Sequence, residues 1–331
     1  MKPLKHSLLR DFYRECRELY YLFTDRPRGL GYILMLHRIG EPNPSGLPQS
    51  EDLKVSICHL DRFITEAKKK FDIIRLEDVP NRLKERHKRK FLVFTFDDGY
   101  KEVLTTGLPV FRKHNVPFTV FLTTGFLGKD AILWWDILER IILSHDSLTL
   151  SNGHYYSLKT RVEKIDAFNH ISSVIKNLNK DCFAEELTKL FKDYNIDWYA
   201  DTKSNCLQWS DVSELLSYPF FTLGSHTYNH FKLDSLIMES DVEDEILHAV
   251  KLIKEKTGHN TRVFAYPYGA AGDREFKYLR SSQDNISLAV LAHGGPVTCK
   301  TSQLEQLPRI NFDDSVNVRD LLHYRNVFMG V

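Results

Sequence analysis

Residues 91–100 read F-L-V-F-T-F-D-D-G-Y. Six apolar or β-favouring residues in a row suit a strand buried on both faces, as in a parallel sheet covered by helices. Asp97 and Asp98 end the run and Gly99 follows. Parallel α/β barrels build their active sites at the C-terminal ends of strands. Adjacent side chains leave a strand end in different directions, so one carboxylate can bind a metal while the other takes a proton. Taken alone, the pair also reads as a polar strand end with a capping Asp and a turn glycine.

Similar runs recur along the chain: GYILMLH (31–37), FDIIRL (71–76), PFTVFL (117–122), FFTLGSH (220–226), RVFAYP (262–267) and ISLAVLA (286–292). Helical patterns lie between them, for example Leu60–Lys70 and Leu104–His114. Another begins at S-D-V-E, where Ser240 and Glu243 predict a capping box. There Val242, Ile246, Val250 and Ile253 form one face and Gly258 marks the stop. About seven β/α repeats in series predict an α/β closed barrel of the TIM kind. Residues 130–215 break the rhythm, with a hairpin around Asn152-Gly153 and helices at roughly 161–178 and 182–194. This stretch reads as an insertion on one barrel loop, within a barrel spanning 31–331.

Of 331 residues, 42% are hydrophobic and 27% charged, a composition that excludes general disorder. Lys plus Arg total 45 against 44 Asp plus Glu, so no global basic field exists to attract nucleic acid. Cys16, Cys58, Cys182, Cys206 and Cys299 form no CxxC pair, which argues against a zinc ribbon or a disulfide framework and for a reducing compartment. Charges interrupt the N-terminal segment, so it does not read as a signal peptide, and no stretch of 18 apolar residues occurs. A cytoplasmic location, with peripheral contact at the inner membrane as an option, is the expectation. Residues 1–30 read as an amphipathic helix and linker. Leu4, Leu8, Phe12, Cys16, Leu19, Tyr20 and Phe23 recur at helical spacing beside Lys5, Arg10, Arg14 and Arg17. Such a helix either packs on the barrel or lies on a membrane surface.

Two further motifs follow strand-like runs. In His226-Thr-Tyr-Asn-His230, a helical turn would put both imidazoles on one face. Two neutral histidines plus a carboxylate make a metal site with open positions. In Tyr266-Pro-Tyr-Gly269, a tight loop can aim the Tyr268 N–H into the barrel mouth. An ordinary aromatic turn is the plainer reading of that motif.

Together these motifs resemble the polysaccharide deacetylases with a NodB homology domain, carbohydrate esterase family 4. TFDDGY at 95–100 is similar to that family's first motif, SHTYNH at 225–230 to its second, and AYPYG at 265–269 to its third. LMLHRI (34–39), LPVFRKHNVPFTVFLTTGFLG (108–128), LWWDILE (133–139) and LPRINF (307–312) resemble a sub-branch tied to surface-polysaccharide synthesis. The resemblance spans about residues 31–312 and omits the N-terminal segment and most of 140–205. It implies a deformed (β/α)7 barrel that removes an acetyl group from an N-acetylated sugar. It also implies Asp97 as general base and Asp98, His226 and His230 as ligands of a divalent metal, usually zinc, with cobalt or nickel able to serve.

Two departures stand out. Ala265 occupies the place of an arginine that braces the base, and Arg309 is the candidate substitute. The family's last motif, which supplies the general acid, is absent; His293 and His37, each at a strand end, are the candidates. Trp134 and Trp135 either anchor the insertion or stack on a sugar, and Asp136 looks like a helix-start residue. The substrate expected is a nucleotide-linked or lipid-linked sugar or an oligosaccharide. Competing readings are a hydrolase of a small non-sugar amide and an inactive carbohydrate-binding barrel.

Overall fold

The computed structural model describes residues 30–322 except 85–88, 129, 283–284, 299–300 and 302. The helix expected at 4–23 lies outside the described residues. Seven parallel strands form the barrel: β1 (Gly31–Leu36), β2 (Phe91–Phe96), β3 (Phe118–Leu122), β4 (Phe221–Ser225), β5 (Val263–Ala265), β6 (Leu288–Gly294) and β7 (Leu307–Asn311). Neighbours around the ring run β1-β7-β6-β5-β4-β3-β2. The pairing of β2 with β1, from Gly31↔Phe91 to Leu36↔Phe96, closes it. The longer helices are α1 (Ile57–Ala67), α2 (Leu108–His114), α3 (Trp134–Ser144), α4 (Arg161–Lys176), α5 (Phe183–Leu190), α6 (Trp209–Leu216), α7 (Glu239–Thr257) and α8 (Asp273–Ser281).

The ring contains seven strands, as the repeat count suggests, but one member differs. The run at 71–76 yields only Asp72–Ile73, which pairs outside the ring with the start of β2. The seventh place belongs to β7, whose Pro308 and Arg309 disguise it as a polar segment. The capping box expected at Ser240 and Glu243 also fails. Helix α7 begins at Glu239, so Ser240 lies inside it and its hydroxyl meets Asp241 instead. Gly258 does end that helix, at φ 73°.

Side-chain alternation along each strand divides the core in two. Phe91 and Val93 face the barrel lumen beside Ile33, Phe121, Val290 and Leu307. Leu92, Phe94 and Phe96 face outward, onto Leu60 and Phe63 of α1 and Phe111 of α2. Continuing the same alternation brings Thr95 and Asp97 to the lumen at the mouth.

The insertion has its own apolar core. Ile137, Leu138 and Ile142 of α3 pack with Phe168, Ile171 and Ile175 of α4, Leu187 of α5, and Trp198. The expected hairpin is present, pairing Ser147–Thr149 with Tyr155–Ser157. Cys206, Leu207, and Val212 and Leu215 of α6 belong to the barrel core, so the chain rejoins the barrel at Cys206.

A polar joint fastens the insertion to the barrel. Asp136, in the first turn of α3, accepts from Tyr100 Oη at 3.2 Å and Asn205 Nδ2 at 3.0 Å, and Arg38 stands 3.6 Å away. Trp135 Nε1 donates to the same Tyr100 oxygen at 2.7 Å. Burial of Asp136 outweighs these partners and pushes its carboxyl up to about 6. Because the folded value exceeds the unfolded one, the stability from this group is fully present below the ordinary carboxylate range. It is lost as pH rises through about 6. A shift of this size amounts to about 3 kcal/mol. Asp136→Asn is therefore expected to lack this part of the decline in unfolding free energy between pH 4 and 7. Urea titrations at several pH values would read it, and parallel profiles for the two proteins would refute it.

Candidate active site

Asp97 reaches the lumen through the regular pleat of β2, but Asp98 does not follow that pleat. Its backbone turns left-handed, at φ 69°, and Gly99 follows at 83°. The turn swings the second carboxylate back over the mouth. After β4 the chain makes two more such turns, at Thr227 (φ 65°) and His230 (φ 62°). The helical turn expected between the two histidines does not form; these left-handed residues bring the rings together, 4.9 Å between centroids.

Neighbouring backbone pins this loop from one side. His226 N–H donates to the Leu122 carbonyl at 2.8 Å, Thr124 N–H to that of Thr227, and Gly125 N–H to that of Tyr228. Glu245, buried on α7, holds the other side. Its carboxylate accepts from Asn229 N–H at 2.9 Å and Asn229 Nδ2 at 2.6 Å. Strained backbone persists only where the surroundings over-determine it.

Asp98, His226 and His230 are all buried, and their ligand atoms lie within 4.8 Å of one another. Asp98 Oδ1 stands 3.4 Å from His226 Nε2 and 3.2 Å from His230 Nε2. It is buried and makes no hydrogen bond. Donors about 2.1 Å from a tetrahedral zinc lie roughly 3.4 Å apart, so this spacing and the N, N, O donor set fit a divalent ion. His226 Nδ1 is 2.8 Å from the Ala265 carbonyl, and donating to it leaves the Nε2 lone pair facing Asp98. Position 265 thus contributes through its backbone.

Arg309 enters from β7 on the lumen side. Its Nη1 and Nη2 donate to the two oxygens of Asp97 at 2.7 and 2.6 Å. Nη1 also reaches Thr95 Oγ1 at 3.0 Å, and Nε donates to the Leu291 carbonyl at 2.7 Å. The guanidinium lies over the Phe121 ring, and Gly224 makes room for that ring, since a Cβ there would lie 2.3 Å from it. Burial alone would raise the Asp97 carboxyl; Arg309 and His226 hold it below its usual range.

A cavity of about 580 Å³ opens above these groups, lined among others by His37, Trp134, Trp135, Lys176, Lys232 and Tyr268. Of the two acid candidates, His37 lines it, with Nδ1 buried and unpartnered. His293 is exposed at the end of β6 and does not line it. Tyr268 has φ 59°, and no acceptor among the described residues takes its N–H. Its ring packs 4.7 Å from that of His230, and the Trp135 ring 5.0 Å. Trp134 and Trp135 both line the cavity while packing in the core. Sequence reading misses Glu245, Lys176 and Lys232, because lone charged residues on helices and loops carry no motif.

Arg309→Met would leave the Asp97 carboxylate buried without its partner, a loss of about 3–5 kcal/mol in unfolding free energy. Adding Asp97→Asn should recover much of it. Denaturant unfolding of the two single variants and the double variant measures the coupling, and strictly additive losses would show the pair to be inert.

No curated protein matches the chain. Among solved structures, the deacetylase PplD of Streptococcus pyogenes, in complex with acetate, superposes with a TM-score of 0.60 at 16% identity over 90% of this chain and 98% of that one. IcaB from Ammonifex degensii gives 0.55 at 15% identity, over 89% and 95%. The BpsB deacetylase domain from Bordetella bronchiseptica gives 0.53 at 16%, over 88% and 98%. At these identities the likeness concerns the fold, a (β/α)7 barrel. The family description "Polysaccharide deacetylase" matches residues 84–283, which carry both the Asp-Asp pair and the His226–His230 loop. The chain belongs to the polysaccharide deacetylase family.

Proposed function

We propose that this chain removes the acetyl group from the nitrogen of an N-acetylated sugar in cell-surface polysaccharide metabolism, with a divalent metal held by Asp98, His226 and His230. One observation carries the reading: an Asp/His/His donor set, its carboxylate oxygen unpartnered, shares a barrel mouth with a second carboxylate held ionised by an arginine. The names of the PplD and BpsB deacetylases support the reaction class.

When bound, the ion supplies a Lewis acid for the amide carbonyl and lowers the pKa of water. Asp97 Oδ2 lies 4.0 Å from His226 Nε2 and faces the same space, so it takes the proton of the attacking water. Arg309 orients that carboxylate and keeps it charged until the proton arrives. The free N–H of Tyr268 donates to the carbonyl oxygen as negative charge grows there. The carbon–oxygen bond forms, the carbon–nitrogen bond breaks, and His37 hands a proton to the departing amine. His37 is favoured over His293 because it lines the cavity. Acetate and a free amino sugar leave.

Acetate release from N-acetylated sugars, measured with added zinc, cobalt or nickel, tests the reading; none from any of them would overturn it. Asp97→Asn should retain metal and lose about 100-fold to 10,000-fold in turnover. Asp98→Asn should lose metal as well, and equal metal content in both variants would remove this division of labour. His37→Gln should cost far more activity than His293→Gln, and the reverse order would transfer the acid role.

A further inference from the structure

The cavity extends well beyond the catalytic groups, along α4. Lys176, the last residue of that helix, is half-buried there. Its ammonium lies 4.7 Å from the centroid of the Tyr268 ring and 6.0 Å from that of Trp134. The Tyr268 ring is itself 4.7 Å from the His230 ring. Lys176 therefore stands one to two sugar rings from the Asp/His/His set.

This ammonium has no carboxylate partner among the described residues. The charge it feels is that of Lys232, a second lysine lining the cavity, and burial and Lys232 together pull its pKa below the usual lysine range. Of the two carboxylates lining the cavity, Asp97 is paired with Arg309, and Asp98 faces His226 and His230. Among the described residues, the carboxylate beside Lys232 is that of Asp234, exposed, at 3.3 Å. One turn back along α4, Ser172 also lines the cavity; it is 6% exposed and its hydroxyl makes no hydrogen bond. Two cations and an unused hydroxyl thus line one cavity, and among the described residues the carboxylate in ion-pair reach of either ammonium is that of the exposed Asp234. Two half-buried ammonium groups lining one cavity repel each other, and an anion bound between them relieves that repulsion and the partial desolvation of Lys176. Lysine suits this task because a point charge accepts phosphoryl or carboxylate oxygens without demanding a bidentate approach.

We propose that Lys176, Lys232 and Ser172 form an anion subsite, and that the N-acetylated sugar acted on carries a negative group, phosphoryl or carboxylate, one to two rings from its acetamido group. The inference rests on the deacetylase reading above and adds a substrate class to it.

The test compares acetate release from an N-acetylglucosamine oligosaccharide with release from the same oligosaccharide bearing a phosphate or a terminal uronate. The metal-loaded full chain is expected to favour an anionic form about tenfold or more in kcat/KM, chiefly through KM, with the preference falling as salt rises. Whichever anionic form is preferred identifies the group. Lys176→Gln should reduce the anionic-to-neutral ratio about tenfold, and Lys176→Arg should restore part of it. Lys189→Gln, an exposed lysine on α5 outside the cavity, should not change the ratio. Calorimetry should show inorganic phosphate binding more weakly to Lys176→Gln than to the unaltered protein. Equal rates on neutral and anionic sugars, or a ratio insensitive to Lys176→Gln, would overturn the subsite and leave the deacetylase reading standing. No acetate from any of these sugars would overturn the deacetylase reading itself.

Discussion

An aspartate and an arginine facing each other inside a barrel set the terms for everything at its mouth. Asp97 and Arg309 are both almost wholly buried, and neither charge is tolerable there without the other. The bidentate pair links the end of β2 to β7, strands that flank β1 on either side of the ring. It explains why an arginine sits in a lumen otherwise filled by Val, Ile, Leu and Phe. It also explains why Phe121 lies beneath it and why position 224 carries no side chain. A carboxylate held ionised in an apolar barrel is a costly arrangement.

Backbone strain gathers at the same place. Asp98, Thr227, His230 and Tyr268 all have positive φ, a region that residues with a Cβ enter at some cost. Each such turn redirects a group that a regular strand or helix would aim elsewhere: a carboxylate, an imidazole, a peptide N–H. The restraint comes from ordinary parts, namely backbone at and just after the end of β3 on one side of the histidine loop and the buried Glu245 on the other. The insertion then roofs the site. Its α4 supplies Ser172 and Lys176, while the Trp135–Tyr100–Asp136 chain of hydrogen bonds ties its first helix to the strand end that bears the two aspartates.

Strand-length apolar runs other than 71–76, helical faces, the closing glycine at 258 and the hairpin at Asn152-Gly153 depend on residues close together in the chain, and spacing alone makes them legible. The Asp-Asp-Gly and His-x-x-x-His motifs were legible for the same reason. Elements that depend on distant partners were not. Strand β7 is missing from the apolar runs because its proline and arginine interrupt the pattern, although Arg309 is the expected brace of Asp97, 212 positions away. Ser240 looked like a cap because its spacing to Glu243 was right, yet α7 starts earlier, at Glu239.

Periodicity and contiguous motifs specify an α/β barrel of β/α repeats, a set of candidate ligands at its strand ends, and the family to which the chain belongs. The folded arrangement settles how Arg309 grips Asp97, which histidine faces the cavity, and where the lysines gather. Those are questions of direction as well as identity. They turn on left-handed backbone at a few residues and on the register of strands that lie far apart in the chain, neither of which local spacing encodes.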